Sequence, residues 1–248
     1  MMDEVRRKIG LRCLLFIIAF SLVMAVVTIA SGSHGIYVFD ASIPLLFGHL
    51  IRNGRFCFNE IIMPPLGPLS GYLAAFAYIL FGNTYMAQVY MAGIVCGMGS
   101  GIILYLLAGR MNLVCAACCT ALLTLSTVPV PGILFYNDFG LLLAGILFAL
   151  GCERCCDDNQ AAWPGRAMWI TVGLLFLNKP NIGIMFGIGL WGLEFLFFLR
   201  QRKQFKLRRI FDALIIVGVS ALLFLLSARF NASDVLASLF IVETPDSL

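Results

Sequence analysis

"IIMPPLGPLSGYLAAFAYILFGN", residues 61–83, is the stretch that decides the fold, because it can either cross a membrane or lie along one. Its apolar part, residues 66–82, is at the short limit of the about 17–25 residues that a membrane-spanning helix needs. Hydropathy alone accepts this segment as a span. If the segment crosses, every later loop changes sides, so the charges of those loops must decide the topology.

The composition places the chain in a membrane. Of its 248 residues, 61% are hydrophobic and only 12% are charged, whereas soluble proteins carry about 25% charged residues. Apolar runs of span length predict an all-α, polytopic membrane protein. The net charge of +4 has the ordinary explanation of basic residues that flank spans, so nucleic-acid binding is not expected.

Seven apolar runs besides the opening stretch predict transmembrane helices within a single domain, residues 1–248. They cover approximately residues 13–31, 85–109, 112–130, 133–151, 164–178, 181–199 and 210–228. The first run has roughly 17–20 apolar residues after a basic head, which is longer than the about 7–15 of a signal peptide. We interpret it as an uncleaved span, with a cleaved signal peptide as the alternative.

The loop charges favour a segment 66–82 that does not cross. With the N-terminus inside, this topology places thirteen of the seventeen Lys and Arg residues inside, including the run "RQRKQFKLRR" at 200–209. The crossing topology places only six there. Because short cytoplasmic loops are enriched in Lys and Arg, we predict a cytoplasmic N-terminus, seven spans and an outer juxtamembrane segment over residues 32–84. Glu194, near the inner end of the sixth span, lies where the 200–209 cations could pair with it.

The outer segment contains a predicted amphipathic helix, "DASIPLLFGHLIRNG", residues 40–54. Its apolar residues recur at helical spacing, while His49 and Arg52 are polar. Asp40 or Ser42 can cap its start, and Gly54 can end it. A connector with Glu60 leads to the proline pair that begins the opening stretch.

Three charged residues open to the same outer side in this topology: Asp40, Asp138 and Lys179. Each has an ordinary explanation as well, since Asp40 and Asp138 can cap helices and Lys179 can extend to the interface. Asp138 is expected below the outer surface, where an ionisable group is costly. Two carboxylates and one cation suit phosphate-linked chemistry, with the carboxylates as base or metal ligand and the Lys on an anionic leaving group.

The cysteines form two matching clusters, "CAACC" at 115–119 and "CERCC" at 152–156, both near the predicted inner face. The reducing cytoplasm disfavours structural disulfides there. A metal site built from both clusters is conceivable. We favour packing or acylation, because the first cluster lies within an apolar span.

The ordered set of motifs resembles the GT-C superfamily of polyprenyl-phosphate-sugar glycosyltransferases, such as protein O-mannosyltransferases and aminoarabinose transferases. The matching pieces are "YVFDASIPLLFGHLIRNG", "MPPLGPLSGYLAAFAYILFGNTYMAQV", "YNDFGLLLAG" and "GLLFLNKPNIG". They stand in the family's order on a seven-span module with juxtamembrane helices in the first outer loop. Two details differ: Ala41 follows Asp40 where many relatives have Glu, and Met63 precedes the prolines where aminoarabinose transferases have Lys.

The resemblance implies transfer of a sugar from a polyprenyl phosphate to an unidentified acceptor at the outer or lumenal face. Asp40 would be the general base or a metal-binding carboxylate, Asp138 would hold a divalent metal ion or the donor phosphate, and Lys179 would lie close to that phosphate. Further residues expected to bind substrate are His49, Arg52, Glu60, Tyr136 and Asn137.

Two other classes of function compete with this prediction. The chain ends about twenty residues after the seventh span, so a truncated or non-catalytic assembly subunit with a partner is one alternative. A lipid or solute transporter is the other, but transporters are more often built from internal repeats with broken helices. The expected location is the bacterial inner membrane or the endoplasmic reticulum.

Overall fold

The computed structural model describes residues 10–33, 42–54, 67–125, 136–155, 162–201 and 207–227, and within them it is all-α. The helices in chain order are α1 (Leu11–Gly32), α2 (Ser42–Arg52), α3 (Leu69–Phe81), α4 (Tyr85–Ala108), α5 (Leu113–Leu125), α6 (Tyr136–Cys155), α7 (Ala162–Asn178), α8 (Pro180–Gln201) and α9 (Leu207–Ser227). The predicted class, an all-α polytopic membrane protein, is confirmed. In the described residues, Leu11–Gly32, Tyr85–Ala108 and Ile210–Ser227 are long and apolar enough to span a membrane. The bounds of the individual spans stay predictions.

Helices α1 and α4 pack antiparallel along a seam of glycines. A Cβ atom on Gly93 would lie 2.6 Å from the Ile29 side chain, and one on Gly97 would lie 2.8 Å from the Ser21 carbonyl oxygen. Small residues four apart let two helix backbones approach closely inside a membrane. At the end of the seam, the Tyr85 hydroxyl donates a 2.9 Å hydrogen bond to the Gly32 carbonyl oxygen. The start of α4 therefore lies beside the end of α1.

The other long helices continue the bundle from α4. Gly99 approaches the Leu142 side chain and Gly145 approaches Ile103, so α6 runs parallel to α4. Helix α7 then returns against α6, α8 and α9. A continuous core fills the space between these helices, with Leu104, Leu175 and Leu143 among its buried members. One end of the bundle, which we call the Lys179 end, therefore holds the start of α4, the start of α6 and the end of α7.

Three ion pairs among the described residues lie at the opposite end of the bundle, which we call the Glu153 end. Arg110 Nε lies 2.6 Å from Glu153 Oε2, Arg154 Nη2 lies 2.5 Å from Glu194 Oε2, and Arg166 Nε lies 2.7 Å from Asp212 Oδ2. The first two pairs join the end of α4, α6 and α8, because Arg110 lies just after α4. The third pair joins α7 to α9. Arg154, which pairs with Glu194, was not named from the sequence. The predicted pairing of Glu194 with the cations at 200–209 involves side chains outside the described residues and stays a prediction.

Helices α2 and α3 form a separate layer at the Lys179 end. Their crossing is close, since a Cβ on Gly48 would lie 2.8 Å from the Ala74 carbonyl carbon. The buried Gln88 amide donates a 2.8 Å hydrogen bond to the Ala74 carbonyl oxygen, which fixes α3 to the first turns of α4. Gly82, at φ 85°, then ends α3 in a conformation that favours glycine.

The opening stretch thus has both described ends at one end of the bundle. Gly67 contacts Asn178 at the end of α7, and Gly82 lies three residues before α4 begins. Helix α3 has 13 residues, about 20 Å at 1.5 Å per residue, against the about 30 Å of a hydrocarbon core. This length and these contacts agree with a helix that lies across the Lys179 end. That the segment does not cross the membrane, and that this end is the outer one, stay predictions.

Candidate functional site

Lys179 is the central charged residue of the candidate site. It separates α7 from α8, because Asn178 ends the first helix and Pro180 begins the second, where proline is well tolerated. Its Nζ atom donates a 3.1 Å hydrogen bond to Asn137 Oδ1 in the first turn of α6. Partial burial lowers the pKa of the Lys179 ammonium from its usual value. The cation is thus held in place by a neutral amide and is incompletely hydrated.

Asp138 follows the residue that holds Lys179. It lies in the first turn of α6 and is half-buried. A carboxylate at this position interacts favourably with the helix dipole, and a capping role for Asp138 stays a prediction. The end of α7 is close by, since a Cβ on Gly140 would lie 3.4 Å from the side-chain Nδ2 atom of Asn178. The "YNDFG" and "NKP" motifs are therefore brought into contact.

Gly67 adds the proline-rich motif to the same place. Its backbone N–H donates a 2.9 Å hydrogen bond to the Asn178 carbonyl oxygen. A Cβ atom at position 67 would overlap the Leu177 carbonyl oxygen, so no other amino acid fits without a shift of the backbone. Three motifs that are far apart in sequence thus meet within two residues of Lys179. Sequence reasoning quoted this motif but did not single out Gly67 or the fully buried Asn178.

His49 has other partners than the motif residues around Lys179. Its Nδ1 atom lies 3.4 Å from Asn83 Oδ1, and its Nε2 atom lies 3.0 Å from Asn53 Nδ2. Asn83 belongs to the turn between α3 and α4, so His49 connects α2 to that turn. Arg52, one turn further along α2, is exposed.

The remaining predicted site residues lie wholly or partly outside the described residues. Asp40 and Glu60 lie outside the described residues, so the predicted proximity of Asp40 to Asp138 stays a prediction. Tyr136 is the first residue of α6, and only its backbone is among the described parts of the chain. In the described segments no three His, Cys, Asp or Glu side chains group as a metal site. The predicted Asp40–Asp138 metal site depends on Asp40 and stays untested.

Comparison with known families now bears on this geometry. Residues 64–228 match the family model described as dolichyl-phosphate-mannose-protein mannosyltransferase. The match covers about two thirds of the chain. The chain belongs to this family. The resemblance to GT-C glycosyltransferases is thereby confirmed, and so is the coarse function of a membrane glycosyltransferase.

The range of the family match divides the candidate site. Gly67, Asn137, Asp138 and Lys179 all lie inside it, whereas Asp40 and helix α2 precede it. No curated protein gives a significant match, and neither does any solved structure. The roles of individual residues therefore rest on the geometry of this chain.

Proposed function

We propose that the protein transfers a sugar from a polyprenyl-phosphate donor to an acceptor at the Lys179 end of the bundle. The observation that carries this proposal is the meeting of three motifs at Asn178 and Lys179. Gly67 contacts Asn178 at 2.9 Å, and Asn137 contacts Lys179 at 3.1 Å. Family membership supports the reaction class, and the name of the family supports a dolichyl-phosphate sugar as donor.

In this proposal, Lys179 binds the donor phosphate. A polyprenyl phosphate gains negative charge on its oxygen as the sugar departs, and a positioned cation stabilises that charge most when water is partly excluded. Lys179 is half-buried and is oriented by a neutral partner, Asn137. The polyprenyl chain would remain in the bilayer while its phosphate reaches the Lys179 end.

Asp40 and Asp138 would divide the remaining work. One carboxylate must accept the proton of the acceptor hydroxyl as it attacks the sugar, and we assign this role to Asp40. Asp138, adjacent to the Asn137–Lys179 hydrogen bond, would orient the donor and limit the approach of its phosphate to one geometry. Either carboxylate could share a divalent metal ion if Asp40 lies close to it.

The described residues do not by themselves fit a metal ion. Asp138 supplies one carboxylate, and the Asn137 amide oxygen beside it already accepts from Lys179. Hard divalent cations take about six to eight oxygen ligands, and water and substrate phosphates often supply several of them, so one carboxylate does not by itself define a metal site. A metal-binding role for Asp138 therefore requires a further protein ligand such as Asp40, and the proposed transfer uses protein side chains alone.

Donor binding tests this proposal directly. The full-length protein in lipid nanodiscs is titrated with radiolabelled dolichyl phosphate mannose, and binding is measured at equilibrium. Lys179→Met should weaken binding at least about tenfold, because it removes a charge-assisted contact to the phosphate. Unlabelled dolichyl phosphate should compete with the probe, since the proposed contact is to the phosphate and not to the sugar.

Arg166→Gln is the matched control, because Arg166 lies near the start of α7 and Lys179 follows its end. Both variants lose one positive charge, so a general loss of attraction for anionic lipids affects them equally. Binding by Arg166→Gln should equal that of the unaltered protein. Equal losses in the two variants, or no binding by the unaltered protein, would contradict the proposal.

A further inference from the structure

Two cysteines at the start of α5 face away from the protein. Cys115 and Cys118 are both exposed and free, and residues three apart on a helix lie on the same face. The opposite face of α5 is buried, with Ala116, Thr120 and Thr124 all at 0% exposure. The two thiols are therefore directed towards the surroundings of the bundle.

The polar boundary of the bundle lies immediately before these cysteines. Arg110 pairs with Glu153, and the Asn112 side chain accepts a 2.9 Å hydrogen bond from the Val114 N–H. At 1.5 Å per residue, Cys115 and Cys118 lie about 4.5 Å and about 9 Å along the helix from Asn112. If the bilayer boundary lies at the polar residues Arg110 and Asn112, this distance places the thiols where headgroups give way to acyl chains.

The face that carries the thiols continues as an apolar stripe. Leu122 and Leu125 follow Cys118 at helical spacing and are exposed by 73% and 52%. An acyl chain attached at Cys118 would extend along these leucines, parallel to the surrounding lipid. A thiol at the interface followed by an apolar stripe is thus suited to hold a lipid chain covalently.

We propose that Cys115 and Cys118 form an S-acylation site for long-chain acyl groups. The thiol sulfur attacks the carbonyl carbon of a long-chain acyl-CoA, a new sulfur–carbon thioester bond forms, and the acyl–CoA thioester bond breaks. CoA leaves as a thiol and takes up the cysteine proton, so no oxidant or reductant is needed. The site depends on the predicted orientation that exposes the Glu153 end to cytosolic acyl-CoA, and it is independent of the proposed transferase activity.

Metabolic labelling tests the site in the full-length protein. Cells that produce the protein are fed an alkynyl fatty acid, the purified protein is coupled to a fluorophore, and half of each sample is treated with neutral hydroxylamine, which cleaves thioesters. The unaltered protein should carry label that hydroxylamine removes. The double variant Cys115→Ser/Cys118→Ser should lose at least about fivefold of this label, with unchanged elution in size-exclusion chromatography.

Cys155→Ser is the control, because Cys155 is also exposed but lies in the last turn of α6. Label should persist in this variant. A second measurement avoids reliance on the folding of any variant. Fragment-ion mass analysis of the tryptic peptide that begins at Met111 should place the acyl group on Cys115 or Cys118, and not on Cys119 or Cys152, which the same peptide contains. Absence of hydroxylamine-sensitive label, or acylation at Cys155 alone, would overturn the proposal.

Discussion

The contacts described for charged side chains differ between the two ends of the bundle. At the Glu153 end, Arg110, Arg154 and Arg166 each contact a carboxylate at 2.5–2.7 Å. At the Lys179 end, the hydrogen bond described for the ammonium goes to an amide, Asn137. Helix ends that only need to be held together are joined by opposite charges. The amide contact orients the Lys179 ammonium and itself adds no opposite charge.

This difference predicts that the Glu153 end supports the fold and that the Lys179 end supports the reaction. Ion pairs that join neighbouring helices should contribute to the free energy of unfolding and not to the chemical step. Replacements at the Lys179 end should alter donor binding or sugar transfer in a protein that remains folded. Substitution of similar residues at the two ends can therefore separate the two roles.

The largest effect is expected at the carboxylates of the proposed site. Asp40→Asn should lower the rate of sugar transfer by about 10²–10⁴-fold, the range for a missing acid–base group. Asp138→Asn should lower it by about 10²-fold, because a misplaced donor reacts more slowly. The measurement is the initial rate of mannose transfer from labelled dolichyl phosphate mannose to acceptors in isolated membranes. Asp212→Asn, a carboxylate near the start of α9 at the other end, should stay within about twofold. An equal loss in Asp212→Asn would break the comparison.

Removal of a buried carboxylate at the Glu153 end should mainly affect stability. Glu153→Ala leaves the Arg110 guanidinium partly buried without its carboxylate, since Glu153 is only 4% exposed. Breaking such a pair costs about 3–5 kcal/mol, measurable by titration with a denaturing detergent. The double variant Arg110→Ala/Glu153→Ala should be less destabilised than the sum of the single variants. Strict additivity would show that the pair contributes no coupling.

The close contact of Gly67 should give a smaller loss of stability, accompanied by weaker donor binding. Gly67→Ala forces the backbone away from Leu177, and overpacking of this kind costs about 1–3 kcal/mol. Thermal unfolding measures the loss, and the nanodisc titration measures the binding. Gly192→Ala is the control, because a Cβ there has no neighbour within 4 Å. If the two variants behaved alike, the contact of Gly67 with α7 would not matter.

The smallest effect is expected for the most exposed ion pair. The Arg166 and Asp212 side chains are 41% and 24% exposed, and exposed pairs contribute about 0–1 kcal/mol. Arg166→Gln should therefore change the free energy of unfolding by less than 1 kcal/mol in the same detergent titration. A loss as large as that of Glu153→Ala would show that exposure does not rank the three pairs.

The helices could be predicted from the sequence because their signals are local. The amphipathic pattern over residues 40–54 and the helix Ser42–Arg52 agree closely, and boundaries within two residues are the usual precision. The predicted run 85–109 likewise corresponds to Tyr85–Ala108. In both cases the residues that form the helix also contain the pattern that predicts it.

The contacts that assemble the site could not be predicted, because they join distant residues. Asn137 and Lys179 are 42 positions apart, and Gly67 meets Asn178 across more than a hundred residues. The quoted motifs contain these residues, but no local sequence pattern indicates which of the motifs come into contact. The Arg154–Glu194 pair has the same cause, since sequence reasoning offered Glu194 only the nearby cations at 200–209.

The glycine seam between α1 and α4 shows that the packed bundle extends beyond the residues that match the family. Sequence similarity to the family begins at residue 64, yet Gly93 and Gly97 are filled by a helix that precedes it. A groove without side chains is complementary to another helix backbone, and lipid tails fill it poorly. The unit that packs together therefore includes α1, whereas the range that matches the family does not. Over evolutionary time, any enlargement of α4 at these positions would have to be matched by α1, even if the two helices were acquired separately.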